Sequence, residues 1–206
     1  VDPSGLSSKE ERLVYWLNGY NASVWHGVLS NYKGKATWKA TDSGRFFDAP
    51  IFTFGGEQLT LNYLEQGVMR GDWAYPGLPR SGKLLEKMKT WHKQLWGAGK
   101  VDARIHAAIN CAAVSCPNIL ATAPYVFEAA TVKDQLQKST VAWLDSTKGA
   151  GPDGISALFE WYTKDWLLTH TSVSEFIKAY RTKGLTGVDT SKYLTYDWTL
   201  NIKGNK

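Results

Sequence analysis

The chain has 206 residues, enough for one full hydrophobic core, and its 43% hydrophobic and 21% charged residues are a globular composition. The formal charge of +5 does not favour nucleic-acid binding, because Lys and Arg are spread along the chain rather than gathered in a basic block. No apolar run approaches the ~20 residues that a membrane helix needs, so we expect no membrane span.

Pro and Gly are scattered among hydrophobic segments and mark no linker, so we expect one domain over residues 1–206. The chain starts with Val1 rather than Met, which indicates processing or trimming and is compatible with a removed signal peptide. We therefore expect a periplasmic or secreted protein.

The first predicted element is a long helix from about Lys9 to about Ser30. Ser8 and Glu11 have the spacing of a capping box, and apolar residues then recur at helical intervals. Asn18 and Asn21 lie on a second stripe of this helix. Their amides either tie loops to the helix or point into a ligand cleft.

A hairpin and a short helix are predicted next. Ile51–Phe54 and Gln58–Leu61 read as strands, and the Gly55-Gly56 pair supplies the positive φ of a tight turn. In the helix that follows, Leu64 and Val68 face inward, which puts Glu65 at the margin of the apolar stripe. Glu65 then either pairs with His106 or lies in solvent near Arg70.

The remaining chain is predicted to be mainly helical. Apolar spacing and capping residues indicate helices over Lys83–Trp96, from Thr131 to Leu144, and from Ser172 to a point before Gly184. The tail, Tyr193–Asn201, alternates like a strand.

The stretch Asp102–Pro117 is the best candidate for chemistry, because it gathers a His and both cysteines of the chain into an apolar run. If this stretch is a strand, alternate side chains share one face, and that face carries Arg104, His106, Ala108 and Asn110. Pro117 ends any regular ladder, so we expect a tight loop that holds Cys111 and Cys116 close together.

A metal site is not expected at this loop. Cys111, Cys116 and His106 would supply three ligands, but no neighbouring residue obviously supplies the fourth that a structural zinc site needs. The sequence also has no Gly-rich phosphate loop, and we predict no cofactor.

Five segments together resemble the domain of unknown function 547 family, in order and in spacing. They are Trp16-Leu-Asn-Gly-Tyr-Asn-Ala22, Leu59-Thr-Leu-Asn-Tyr-Leu-Glu65, Arg104–Cys111 with Ser115-Cys-Pro117, Phe159-Glu-Trp-Tyr-Thr-Lys-Asp165, and Tyr196-Asp-Trp-Thr-Leu-Asn201. The resemblance spans roughly residues 10–201. One departure is Gln66, which stands where the family usually has a His.

The family in turn resembles the cysteine-peptidase and transglutaminase superfamily, more loosely. This likeness implies an α+β fold in which the long N-terminal helix packs on a mainly antiparallel sheet whose strand carries His106. Superfamily enzymes hold their nucleophilic Cys at a helix N-terminus. The corresponding helix here offers Asn18 and Asn21 but no Cys.

One functional hypothesis is a thiol-dependent hydrolase or acyl-transferase acting on an amide bond. Cys111 would be the nucleophile, His106 the base, and Glu65 the group that orients the imidazole. The amide of Asn110 would help to stabilise an oxyanion, and Cys116 would lock the loop. In an extended strand, side chains five residues apart point to opposite faces. The side chains of His106 and Cys111 therefore meet only if the backbone turns between them.

The alternative is a non-catalytic exported binding module. Cys111 and Cys116 would then form a disulfide across the short loop. Some of the ten Trp and ten Tyr residues would line a cleft for a glycan, a peptide or another small ligand. Asn18, Asn21, Asn110 and Cys116 are the candidate binding residues. The sequence leaves open the substrate, the partner proteins and the oligomeric state.

Overall fold

The computed structural model describes residues 2–35, 37–43, 45–50, 52–119 and 126–201. The chain divides into two compact units. The first comprises Val1–Val101 with Glu128–Ala130, and the second comprises Asp102–Phe127 with Thr131–Lys206. The expectation that the whole chain forms one domain stays a prediction.

The first unit is built on helix α1, Lys9–Tyr32. The capping box is confirmed, because Ser8 accepts a hydrogen bond from the Glu11 N–H while the Glu11 carboxylate accepts from the Ser8 N–H. The inward face of α1 is fully buried at Leu17 and Val24. A short 3-10 helix, Pro3–Gly5, precedes α1, and another, Ala40–Ser43, follows it.

The predicted hairpin is confirmed. Strand β1, Phe52–Phe54, pairs antiparallel with β2, Glu57–Leu59, and the two glycines of the turn have φ of +55° and +81°. Ile51, the first residue of the predicted strand, lies outside the described residues. Phe54 packs over Gly19 of α1, and the Phe52 ring lies 5.2 Å from the ring of His26, so the hairpin reaches the long helix through two aromatic rings.

The helix predicted after the hairpin is also present, as a π-helical segment over Tyr63–Met69. Its wide turn is visible where the Arg70 N–H donates to the Glu65 carbonyl five residues earlier. Leu64 and Val68 are fully buried as expected. Helix α2 spans Lys83–Trp96, with the predicted bounds.

The second unit consists of short helices around an aromatic core. Its elements are α3 (Val132–Asp145), β3 (Ala150–Gly151), β4 (Gly154–Ile155), α4 (Leu158–Trp161), α5 (Thr163–Trp166) and α6 (Val173–Tyr180). Strands β3 and β4 form an antiparallel pair. The largest buried rings of this core belong to Trp143, Phe159, Trp166 and Phe176.

The predicted strand over Arg104–Asn110 is wrong: Ala103–Ala107 form a 3-10 helix. Asp102 caps it by accepting from the Arg104 N–H, and the same carboxylate binds the Arg104 guanidinium. Almost every side chain from 103 to 110 is buried, so the apolar run has no solvent face. An apolar run that is buried on nearly all sides is compatible with a helix as well as with a strand. Here the Asp102 side chain caps the segment at its start, which favours the helix.

The tail is extended but does not form the predicted strand. Tyr193 and Leu200 make isolated bridges to Ile155 and Ala113. The fold class is α+β, with helices and two small antiparallel pairs. The papain- or transglutaminase-like plan is not confirmed, because it required a strand that carries His106. None of the helices, over the residues described, is long and apolar enough to cross a membrane.

Gly19→Ala tests the packing of the hairpin on α1. An added Cβ would lie 2.6 Å from Cε1 of Phe54, so the ring must move. We expect overpacking to lower the free energy of unfolding by about 1–3 kcal/mol. The higher helix propensity of Ala raises it by up to ~1 kcal/mol, which is the smaller effect. Urea unfolding should show a net loss of stability. Gly5→Ala is the control, because a Cβ at Gly5 meets nothing within 4 Å; equal stability of both variants would contradict the packing.

Candidate functional site

The second unit holds a buried histidine–carboxylate pair. Nε2 of His106 lies 2.8 Å from Oδ2 of Asp165, and both side chains are almost inaccessible to solvent. The His106 ring stacks on Tyr162, with centroids 4.0 Å apart and planes at 19°, and it also contacts Trp166. The imidazole is therefore held by one carboxylate and two rings.

The segment that carries His106 is anchored at its start. Asp102 binds the Arg104 guanidinium with Oδ2 2.7 Å from Nη2. This hydrogen bond with Asp102 raises the pKa of Arg104 above its ordinary value. Arg104 also donates to the Lys133 carbonyl and the Gln137 side chain, which ties the 3-10 helix to α3.

Cys111 and Cys116 are joined by a disulfide, with Cα atoms 6.4 Å apart. The loop between them is also closed by Asn110. Its Nδ2 donates to the Pro117 carbonyl and its Oδ1 accepts from the Ala112 N–H, both at 2.6 Å. In this structure Asn110 therefore holds the disulfide loop together.

The same loop is fastened to the C-terminal tail. The N–H groups of Val114 and Ser115 donate to the carbonyls of Thr199 and Asp197, and the Asn201 N–H donates to the Ala112 carbonyl. Ala112 has a φ of +65°, a left-handed conformation that a residue with a Cβ rarely adopts. These contacts hold the loop in a conformation that its sequence alone does not favour.

Tyr196 connects the disulfide to the tail. Its hydroxyl lies 3.1 Å from Sγ of Cys111 and 3.0 Å from Sγ of Cys116. Cys111 is partly exposed, whereas Cys116 is only 2% exposed and its Sγ also accepts from the Cys111 N–H at 3.1 Å. The two sulfurs therefore have unequal surroundings.

Beside the disulfide lie three partly exposed rings, those of Trp161, Tyr196 and Trp198. We call these three rings the aromatic surface. The Tyr196 ring lies 4.8 Å from both tryptophan rings, and the two indole planes are within 17° of parallel. Trp161 is 44% exposed. Large rings are more often buried, and grouped aromatics at a surface are typical of binding sites.

A cleft of about 210 Å³ adjoins this surface at Tyr196. Its wall combines hydroxyl groups, one ammonium group and apolar side chains. The lining residues are Ser115, Thr147, Lys148, Ser156, Ala157, Leu194, Thr195 and Tyr196. The cleft can therefore offer hydrogen bonds and an apolar face to the same ligand.

The other candidate residues belong to the first unit. Glu65 is buried and accepts from the Tyr20 hydroxyl at 2.8 Å and from Gln66 at 3.1 Å, so the alternative of a solvent-exposed Glu65 is wrong. Arg70 donates to the Gln66 side chain. On α1, Asn18 is half-buried and Asn21 is buried. The pairing of Glu65 with His106 stays a prediction.

The sequence interpretation missed several residues of this site. Asp165, Trp161, Tyr196 and Trp198 entered the sequence analysis only as parts of two segments that resemble the family. The available signal was that Phe159–Asp165 and Tyr196–Asn201 are two of the five motifs that resemble the family. Within the described ranges, no group of three or more His, Cys, Asp or Glu residues is arranged to hold a metal ion.

Comparison with known proteins gives one match. The chain matches no curated protein and no solved structure. A family model described as "Protein of unknown function, DUF547" matches residues 3–144. This match covers more than half of the chain and includes α1, the hairpin, α2, the His106 segment, the disulfide loop and most of α3. It ends before Phe159–Asp165 and Tyr196–Asn201, so the resemblance of these two segments to the family stays a prediction. The protein therefore belongs to the DUF547 family.

Proposed function

We propose that this protein is a binding module whose second unit recognises an oligosaccharide at the aromatic surface and the adjoining cleft. The observation that carries the proposal is the disulfide between Cys111 and Cys116, which lies beside the aromatic surface. With Cys111 and Cys116 joined, neither sulfur is a thiolate nucleophile, while the rings beside them remain partly exposed.

The ligand class follows from the chemistry of the surface. A sugar ring has apolar C–H faces that pack on indole and phenol rings, and hydroxyl groups at its edge that need hydrogen-bonding partners. Trp161 and Trp198 offer the rings, and the cleft at Tyr196 offers Ser and Thr hydroxyls together with the Lys148 ammonium. A peptide is the alternative ligand.

The disulfide also supports a proposal about location. Disulfides persist in oxidising compartments such as the periplasm and the extracellular space, and they are rare in the cytosol. We therefore propose that the protein works outside the cytoplasm.

A second candidate is a thiol-dependent hydrolase or acyl-transferase that becomes active after reduction of the disulfide. The observation in its favour is the His106–Asp165 pair, because a carboxylate that orients an imidazole is a common part of a nucleophilic site. Asp165 would take the orienting role that the sequence assigned to Glu65. Cys111 would remain the nucleophile.

Replacement of Trp161 by Ala tests the binding proposal. We expect a loss of oligosaccharide affinity of about tenfold or more, because Trp is among the residue types that most often act as binding hot spots. Titration calorimetry with a panel of oligosaccharides and peptides measures it. The control is Leu167→Ala, since Leu167 is 46% exposed and lies in the same unit.

The binding proposal fails if no oligosaccharide of the panel binds, or if both variants bind equally well. If a peptide binds instead and Trp161→Ala weakens that binding, the proposed site is correct and the ligand is a peptide rather than an oligosaccharide.

Asp165→Ala separates the two candidate functions. We expect a loss of about 1–3 kcal/mol of stability in either case, because a buried imidazole nitrogen loses its partner. Asp153→Ala, an exposed acid in the same unit, should leave the stability nearly unchanged. If the module proposal holds, the folded Asp165→Ala protein retains its ligand affinity. If the enzyme proposal holds, reduced wild-type protein turns over amide or ester substrates and Asp165→Ala loses that turnover.

A further inference from the structure

The two cysteines of the disulfide differ in exposure. Cys111 is partly exposed, while Cys116 is 2% exposed. A thiolate that reduces a disulfide attacks one sulfur and expels the other. Because Cys111 is the more exposed residue, its sulfur is the expected target, and Sγ of Cys116 is then the sulfur that leaves.

The leaving sulfur already has two donors within reach. The Cys111 N–H donates to Sγ of Cys116 at 3.1 Å and distinguishes this sulfur from the other, while the Tyr196 hydroxyl is near both, 3.0 Å from Sγ of Cys116 and 3.1 Å from Sγ of Cys111. Hydrogen bonds to a thiolate stabilise its negative charge. A thiolate stabilised in this way is the better leaving group in disulfide exchange.

The loop backbone adds a second, independent observation. Ala112 lies between the two cysteines with a φ of +65°, and contacts with the tail hold it there. Residues in sparsely populated conformations cost of order 1–3 kcal/mol and cluster at functional sites.

We propose that Cys111–Cys116 is a thiol–disulfide exchange site for small thiols, with Cys111 as the attacked sulfur and Cys116 as the leaving thiolate. In the first step a thiolate RS⁻ bonds to Sγ of Cys111, the Cys111–Cys116 bond breaks, and Cys116 takes the electron pair. In the second step another RS⁻ attacks the R sulfur of this mixed disulfide. The products are RSSR and the Cys111 thiolate, so two thiols are oxidised as one disulfide is reduced.

Tyr196 is a positioning residue in this proposal, because its hydroxyl reaches both sulfurs and can donate to Sγ of Cys116 once that sulfur carries the negative charge. This site does not depend on the ligand proposed for the aromatic surface. Oligosaccharide binding can fail while exchange succeeds, and the reverse also holds.

The test uses the full oxidised chain and glutathione as the thiol, at neutral pH. Samples are quenched with iodoacetamide at intervals, and peptide mass spectrometry locates the mixed disulfide. We expect glutathione on Cys111, and we expect reduction of the native protein to be faster than its global unfolding. Tyr196→Phe should slow exchange about three- to tenfold, because the leaving thiolate loses one hydrogen bond. Tyr193→Phe, at a half-exposed tyrosine of the same tail, should react like the wild type.

Single Cys variants give a second readout. Cys116→Ser should accumulate a stable mixed disulfide on Cys111 when treated with oxidised glutathione, whereas Cys111→Ser should react slowly at the buried Cys116. If either variant fails to fold, the position of glutathione on the wild-type protein, located by peptide mass spectrometry, is sufficient to test which sulfur is attacked. Three results would overturn the proposal: glutathione on Cys116, reduction only at the rate of unfolding, or identical exchange rates for Tyr196→Phe and Tyr193→Phe.

Discussion

The architecture of the candidate site depends on the fastening of the disulfide loop to the C-terminal tail. Backbone hydrogen bonds join Ala112, Val114 and Ser115 to the tail between Asp197 and Asn201. Through these bonds a loop near the middle of the sequence holds the last described residues of the chain. Tyr196 and Trp198 become part of a surface only because their backbone is held in this way.

Continuity of the chain links this loop to the buried imidazole. The 3-10 helix that carries His106 ends at Ala107, and Asn110, which closes the disulfide loop, follows within one turn. On the other side, Tyr162 stacks on His106 while its neighbour Trp161 packs against Tyr196. The His106–Asp165 pair and the disulfide are therefore separate chemical groups on one connected scaffold.

Local signals predicted the first unit well. The capping box at Ser8, the Gly55-Gly56 turn and the apolar spacing of α2 each act over a few residues, and each was confirmed. The segment around His106 was predicted wrongly because its period-two pattern does not separate a buried face from an exposed one: nearly all of its side chains are buried. The partnership of His106 with Asp165 joins residues 59 positions apart, and that of the two sulfurs with Tyr196 spans 80 or more. Contacts at such separations depend on tertiary packing, which periodicity and spacing do not encode.

The binding proposal requires that Cys111 and Cys116 are joined in the native protein, beside the aromatic surface. This can be measured by a thiol count on protein purified without reductant, together with mass spectrometry of the digested, unreduced chain. We expect no free thiol under native conditions and a peptide pair crosslinked through Cys111 and Cys116. Two free thiols, with Cys111 alkylated rapidly near neutral pH, would contradict it and favour the thiol-dependent enzyme.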